Sequence, residues 1–226
     1  MGHANPVRVE ALIPARGGSK GILRKNLAPL GAKPLVVWTI EAALGSARVE
    51  RTVVSTDDAE IAELALAHGA EVLDRPDELA GDDVTMRDVV AHALQTMEAD
   101  VVALLQPTSP FRTSRHVEEA VDLLVESGAD GVVSVVEVPH RFGPPSLMEL
   151  DGGRLVRLDE AAYPNRQAKP VLYARNGPAI LALAAGRIGD DLYAGDLRPY
   201  VMDAESSVDV DEPFDLELAE FLLSRR

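Results

Sequence analysis

The chain has 226 residues, 46% hydrophobic and 26% charged, enough for the full core of one good-sized domain and unlike a disordered or membrane-spanning chain. Net charge is −15, from 22 basic and 37 acidic residues, which disfavours nucleic acid and acidic membrane and leaves a polyanion only a local basic site. The absence of cysteine excludes disulfides, Cys-ligated zinc and thiol nucleophiles, and fits a cytoplasmic enzyme.

No signal-peptide pattern opens the sequence, and no apolar run is long enough to span a bilayer. Residues 7–13 (VRVEALI) predict a first buried strand, followed by a glycine-rich loop over 14–21. Helical spacing of Leu35, Trp38, Ile40, Ala42 and Ala43 predicts a helix over 34–44, stopped at Gly45-Ser46. A short strand over 52–55 follows. Asp57, with Glu60 three residues on, predicts the cap of a helix that ends at Gly69. Then come a weak strand at 71–73, a polar loop at 75–83, a helix at 85–97 and an apolar strand at 101–105. A helix capped by Thr113 or Ser114 runs to Ser127, with Gly128 at its end, and 131–136 is another strand.

This alternation implies an α/β fold with a mainly parallel sheet covered on both faces. It breaks after Val138. Asp151-Gly152-Gly153 reads as a hairpin turn, 163–170 as irregular, and 171–183 as strand-like around Asn176-Gly177-Pro178. Such an insertion often forms a lid or dimerisation arm. Strands are expected at 200–202 and 208–210, and a last helix over 214–223 with Pro213 in its first turn. The expectation is one domain, 1–226, with an inserted lobe at about 139–200.

The acids are unevenly spread. Residues 11–40 hold Arg16, Lys20, Arg24, Lys25 and Lys33 and no Asp or Glu, where average composition would put about five. The glycine-rich loop Pro14-Ala15-Arg16-Gly17-Gly18-Ser19-Lys20-Gly21 lies in that window, after a strand. Ligands of open α/β sheets bind at the carboxyl ends of strands, glycines let backbone N–H groups approach phosphate, and Lys or Arg neutralises its charge. The loop is neither a Walker loop nor G-x-G-x-x-G. Gln106-Pro107-Thr108-Ser109-Pro110 offers hydrogen-bonding groups after the central strand. In Ser207-Val208-Asp209-Val210-Asp211, a strand would present Asp209 and Asp211 on one face, a pair that suits Mg²⁺ or simply stands in water. The five histidines do not cluster, and no HExxH motif or Ser-His-Asp set is present.

Together these residues resemble the acylneuraminate cytidylyltransferase family, the CMP-sialic acid synthetases. The run from Ile13 to Gly21, then Arg24-Lys25-Asn26-Leu27, is similar to the family's opening motif, with Leu23 where many members carry proline. Val54-Ser55-Thr56-Asp57, Arg75-Pro76-Asp77-Glu78-Leu79-Ala80, Leu105-Gln106-Pro107-Thr108-Ser109-Pro110-Phe111-Arg112 and Ser207-Val208-Asp209-Val210-Asp211 follow in family order.

The resemblance implies a Rossmann-like nucleotidyltransferase, usually a homodimer joined through the inserted lobe. It implies transfer of CMP from CTP to an acidic, nonulosonate-type sugar, with Mg²⁺ as cofactor. By position, Arg16, Gly17, Gly18, Ser19, Lys20, Lys25 and Asn26 would hold the triphosphate, with Asp82 near the nucleotide. Gln106, Thr108, Ser109, Arg166 and Asn176 would line the sugar side, and Asp209 and Asp211 would bind Mg²⁺. Arg16, Lys20, Lys25 and Asp211 would carry the catalysis. The sugar block departs from the family: Ala174 stands where many members carry arginine and Ile180 where they carry tyrosine. Those changes leave open a sugar 1-phosphate acceptor, giving an NDP-sugar. A non-catalytic nucleotide-binding role is the remaining alternative.

Overall fold

The structure, a computed structural model, describes residues 7–158, 169–177 and 179–226. In chain order the first half runs β1 (Val9–Pro14), β2 (Pro29–Leu30), β3 (Lys33–Pro34), α1 (Leu35–Leu44), β4 (Arg51–Thr56), α2 (Ala59–Ala67), β5 (Glu71–Asp74), α3 (Met86–Ala93) and β6 (Val101–Leu104). The second half runs α4 (Ser114–Ser127), β7 (Gly131–Glu137), β8 (Met148–Asp151), β9 (Arg154–Arg157), β10 (Tyr173–Arg175), β11 (Leu181–Ala184), β12 (Leu197–Met202) and α5 (Pro213–Leu223).

β5, β4, β1 and β6 lie side by side and parallel. β11 runs antiparallel between β6 and β7, and β12 pairs parallel with β7. β10 pairs antiparallel with 135–137 of β7 and β11 with 131–133, so the two form one broken antiparallel strand. The sheet is therefore mainly parallel, with one antiparallel position. From β1 the chain crosses to β4 on one side, while β6 lies on the other. That is a topological switch point, and ligands bind in the crevice beyond such strand ends.

β1 is buried along its whole length, as a central parallel strand requires. Ala11 and Ile13 pack on one face with Val36, Ile40, Ile61, Val117 and Leu124 of α1, α2 and α4. Leu12 points to the other, with Val90, Leu104, Leu181 and Leu192. Each such buried aliphatic side chain contributes about 1.5–3 kcal/mol. A third cluster, of Leu30, Leu35, Phe111, Val210 and Ala219, seats α5.

Several expectations are corrected. Asp58, not Asp57, caps α2, accepting from the N–H groups of Glu60 at 2.9 Å and Ile61 at 3.1 Å. Both residues are capping types, and a tertiary contact described below engages Asp57. Residues 208–210 form no strand; only the Val210 N–H bonds across, to the Thr108 carbonyl at 2.7 Å. α3 ends at Ala93, because the N–H groups of Gln95 and Thr96 bond three residues back and tighten the last turn. Within 139–200, β10, β11 and β12 belong to the main sheet. The β8–β9 hairpin stands apart as its own two-stranded sheet, exposed throughout, with positive φ at Gly152 and Gly153 in its turn.

Candidate active site

The loop after β1 is tied down at several points. The Ala15 N–H donates to the Ser55 carbonyl at 2.9 Å, extending the β1–β4 pairing by one bond. The Gly17 N–H donates to Asp57 Oδ1 at 2.9 Å. Asn26, buried, donates from Nδ2 to the Arg16 carbonyl at 2.8 Å. Arg24 sits in the left-handed region at φ 52° and pairs with Asp58 and Glu60 at the head of α2. Gly17 is needed for packing: a Cβ there would lie 2.7 Å from Asp58 Oδ2. At Gly18 a Cβ would meet nothing within 4 Å, and Ser19 is half-buried.

The three cations expected to act on phosphate are all held by carboxylates. Asp82 receives Arg16 at 2.8 Å and Lys20 at 3.0 Å, one on each oxygen. Lys20 first and Arg16 second hold the Asp82 carboxyl below its usual range. Lys25 pairs with Asp211 Oδ1 at 2.6 Å. The structure thus brings Arg16, Lys20, Lys25, Asp82 and Asp211 together beyond the carboxyl end of β1.

Asp209 sits differently. Among the described residues its Oδ1 is buried without a partner, as is Ser109 Oγ. Burial pushes its carboxyl up and Asp211 adds to this, while Thr108 and Lys25 oppose it. Gly177, at φ 115°, comes so close that a Cβ would lie 3.1 Å from both Asp209 Oδ1 and Ser109 Oγ. The two aspartates therefore do not share a strand face; Asp209 is half-buried with one oxygen turned inward, and Asp211 is an exposed partner of Lys25. A buried, unpartnered carboxylate oxygen fits a hard cation. No group of three or more His, Asp or Glu suited to a metal occurs among the described residues. Mg²⁺ commonly needs only one or two carboxylates beside phosphate oxygens.

Asn176 is buried, and its amide is used internally. Oδ1 accepts from Ser134 Oγ at 2.6 Å, and Nδ2 donates to Ser207 Oγ at 3.0 Å. Ser134 Oγ also accepts from the Ile180 N–H at 2.8 Å, filling the gap where the β10–β11 strand breaks. Asn176 thus joins that break to the segment carrying Asp209. The Gln106 carbonyl accepts from Arg112 at 3.1 Å. Arg166 lies outside the described residues.

Arg75 is a residue whose importance the sequence alone does not single out, although it heads one of the matched blocks. It is buried, donating from Nε and Nη2 to Ser55 at 3.1 and 2.7 Å. Desolvation lowers its pKa, and Arg16 adds to this. With Arg16, Leu79, Val84, Met86 and Val89 it lines a pocket beside Asp82. A part-apolar slot next to a cationic loop suits a flat heterocycle joined to phosphate.

A glycine loop beside three cations, at the switch point of a mainly parallel sheet, is an arrangement in which open α/β proteins hold phosphate. More narrowly, the chain belongs to the cytidylyltransferase family, whose model, described as "Cytidylyltransferase", matches residues 10–223. It is 37% identical over 216 residues to an N-acylneuraminate cytidylyltransferase of Escherichia coli, covering 94% of this chain and 51% of that protein. The chain thus spans about half the length of that relative. Over 230 residues it is 37% identical to a CMP-N,N'-diacetyllegionaminic acid synthase of Legionella pneumophila, covering 96% of this chain and 97% of that one. A solved CMP:2-keto-3-deoxy-manno-octonic acid synthetase complexed with CTP superposes with a TM-score of 0.76 at 19% identity, covering 96% and 99% of the two chains. At that identity the likeness concerns the fold.

Proposed function

We propose that the protein transfers CMP from CTP to a nonulosonate-type acidic sugar, releasing pyrophosphate. The observation that carries this is the triad Arg16, Lys20 and Lys25, gathered on one loop edge and each held by a carboxylate that a phosphate group can replace. The acceptor hydroxyl attacks the α-phosphorus, a P–O bond forms, the bond to the β,γ-diphosphate breaks to release pyrophosphate, and the hydroxyl proton passes to a carboxylate of the Asp209–Asp211 pair. Arg16 and Lys20 exchange Asp82 for the triphosphate and stabilise charge on the leaving pyrophosphate. Lys25 exchanges Asp211 in the same way. Gly18 and Ser19 offer backbone and hydroxyl donors on the open side of the loop, while Gly17 and Asn26 shape it. The Arg75 pocket receives the base.

Asp209 and Asp211 would hold Mg²⁺, whose chemistry when bound is charge neutralisation on the phosphates and acidification of a coordinated hydroxyl. Ser109, whose hydroxyl has no partner among the described residues, forms the acceptor wall with Thr108 and Gln106 beside it. The names of the Escherichia coli and Legionella relatives favour an acidic nine-carbon acceptor over a sugar 1-phosphate. No helix among the described residues is long and apolar enough to cross a membrane.

A homodimer through the β8–β9 hairpin is part of the same reading. Leu150, Leu155, Val156 and Leu158 are exposed there, more apolar surface than a free hairpin favours. Light scattering of wild type against Leu150→Lys/Leu155→Lys tests it: a dimer turned monomer supports it, and a wild-type monomer refutes it. The activity is tested by the product. CMP-sugar and pyrophosphate from CTP and an acidic sugar support the assignment; an NDP-sugar from a sugar 1-phosphate overturns it.

A further inference from the structure

We propose that Arg112 is a positioning residue of the acceptor side, fixing the loop after β6 against the break between β10 and β11. The proposal rests on the functional reading above. Arg112 is 2% exposed. Among the described residues no carboxylate pairs with it, and desolvation alone draws its pKa down, to about 9. Its bonds go to three separate elements. Nη1 donates to the Gln106 carbonyl at 3.1 Å and the Ala179 carbonyl at 2.6 Å, and Nη2 to Thr39 Oγ1 at 2.5 Å. Thr39, on α1, donates in turn to the Gln106 carbonyl at 3.4 Å, so that carbonyl is held from two sides.

The parts joined in this way are the walls of the site. Gln106 leads into Thr108 and Ser109, and among the described residues the buried Ser109 hydroxyl has no partner. Ala179 follows Gly177, which closes on Ser109 Oγ and Asp209 Oδ1. A guanidinium buried without a counter-ion is costly. A planar fork alone reaches three acceptors of this spread; lysine supplies a point charge on a flexible stem. The uncompensated charge also lies behind the acceptor wall of a protein with net charge −15, where an anionic acceptor needs attraction. Arg112 is too buried to touch the acceptor; it acts through the Gln106 and Ala179 carbonyls.

The test uses the full chain, CTP, Mg²⁺ and whichever acidic sugar the wild type turns over. Arg112→Lys and the milder Thr39→Val are compared by steady-state kinetics and circular dichroism, and Arg112→Gly is assayed with and without added guanidinium ion. KM for the acceptor is expected to rise about tenfold or more in Arg112→Lys and less in Thr39→Val, with KM for CTP within about twofold. Guanidinium is expected to restore part of the Arg112→Gly rate without accelerating wild type. An unchanged acceptor KM in folded Arg112→Lys overturns the proposal. So does an equal rise in both KM values, or activity that merely tracks the folded fraction in Arg112→Lys and Thr39→Val. A wild type that turns over no acidic sugar instead overturns the functional reading, and the proposal with it.

Discussion

Lys25 and Asp211 are 186 positions apart in the chain and meet at 2.6 Å, joining the glycine-rich loop to the segment before α5. The same segment presses on the loop a second time, through the Asp211 carbonyl beside Gly21. One aspartate thus holds Lys25 and sets the spacing between the glycine-rich loop and the segment that carries Asp209.

Asp211→Ala is expected to lower turnover at least about 100-fold, because the site loses one of the two carboxylates proposed to hold Mg²⁺. The Asp211 side chain is 65% exposed, so the melting temperature should stay within about 2 °C of wild type. Pyrophosphate release and a thermal melt measure the two. Turnover like wild type in Mg²⁺ removes Asp211 from the machinery.

Gly21→Ala and Gly18→Ala should separate. A Cβ at Gly21 would lie 2.2 Å from the Asp211 carbonyl oxygen, whereas at Gly18 it meets nothing. The Gly21 variant must move the loop from the aspartate segment, and its kcat/KM should fall about tenfold or more. Gly18→Ala should stay within about threefold of wild type. Equal effects would mean that the loop's spacing from Asp211 is unimportant.

Asp82 occupies two cations, Arg16 and Lys20, for which the proposed triphosphate would compete. Asp82→Asn should tighten CTP binding about three- to tenfold at low ionic strength, with the gain shrinking as salt is added. Calorimetric titration in two salt concentrations reads this. Weaker binding at both would show that Asp82 serves the bound nucleotide rather than competing with it.

At the other end of the sheet, Glu10 is buried and bonds Arg51 at 3.0 Å. Glu10→Ala should cost about 3 kcal/mol of stability while leaving KM values unchanged. Arg51 also holds the Glu71 carboxyl below its usual range. A carboxyl lowered on folding adds stability that is present above its unfolded pKa and lost as pH falls through the folded one. Melting temperature should therefore drop below about pH 4, and Glu71→Gln should flatten that acid limb. An acid limb identical to wild type would show that the pair contributes nothing.

Most of the sheet is legible in the sequence because buried parallel strands are continuous apolar runs bounded by glycine and capping residues. The failures have local causes. Asp57 and Asp58 are equally good caps, and only the Gly17 N–H, 40 residues away, engages Asp57. Val208-Asp209-Val210 alternates like a strand but finds no strand beside it, so period alone misleads. β2 and β3 are two-residue pairs flanked by prolines and too short to show a period. The cations of the acid-free window stand out in the sequence, and folding brings Arg16, Lys20 and Lys25 against carboxylates. Their carboxylate partners, Asp82 and Asp211, come from distant segments and emerge only when the chain is folded. Asn176 shows the reverse: its motif suggests a substrate contact, whereas its amide is spent on Ser134 and Ser207.

The most direct test is pyrophosphate release by the purified protein with Mg²⁺, each of the four nucleoside triphosphates, and a panel of nine-carbon acidic sugars and sugar 1-phosphates. Release with CTP and an acidic sugar alone, with a CMP-sugar detected by mass, is the result expected. Release that requires a sugar 1-phosphate, or no release with any acidic sugar while CTP binds, would contradict it.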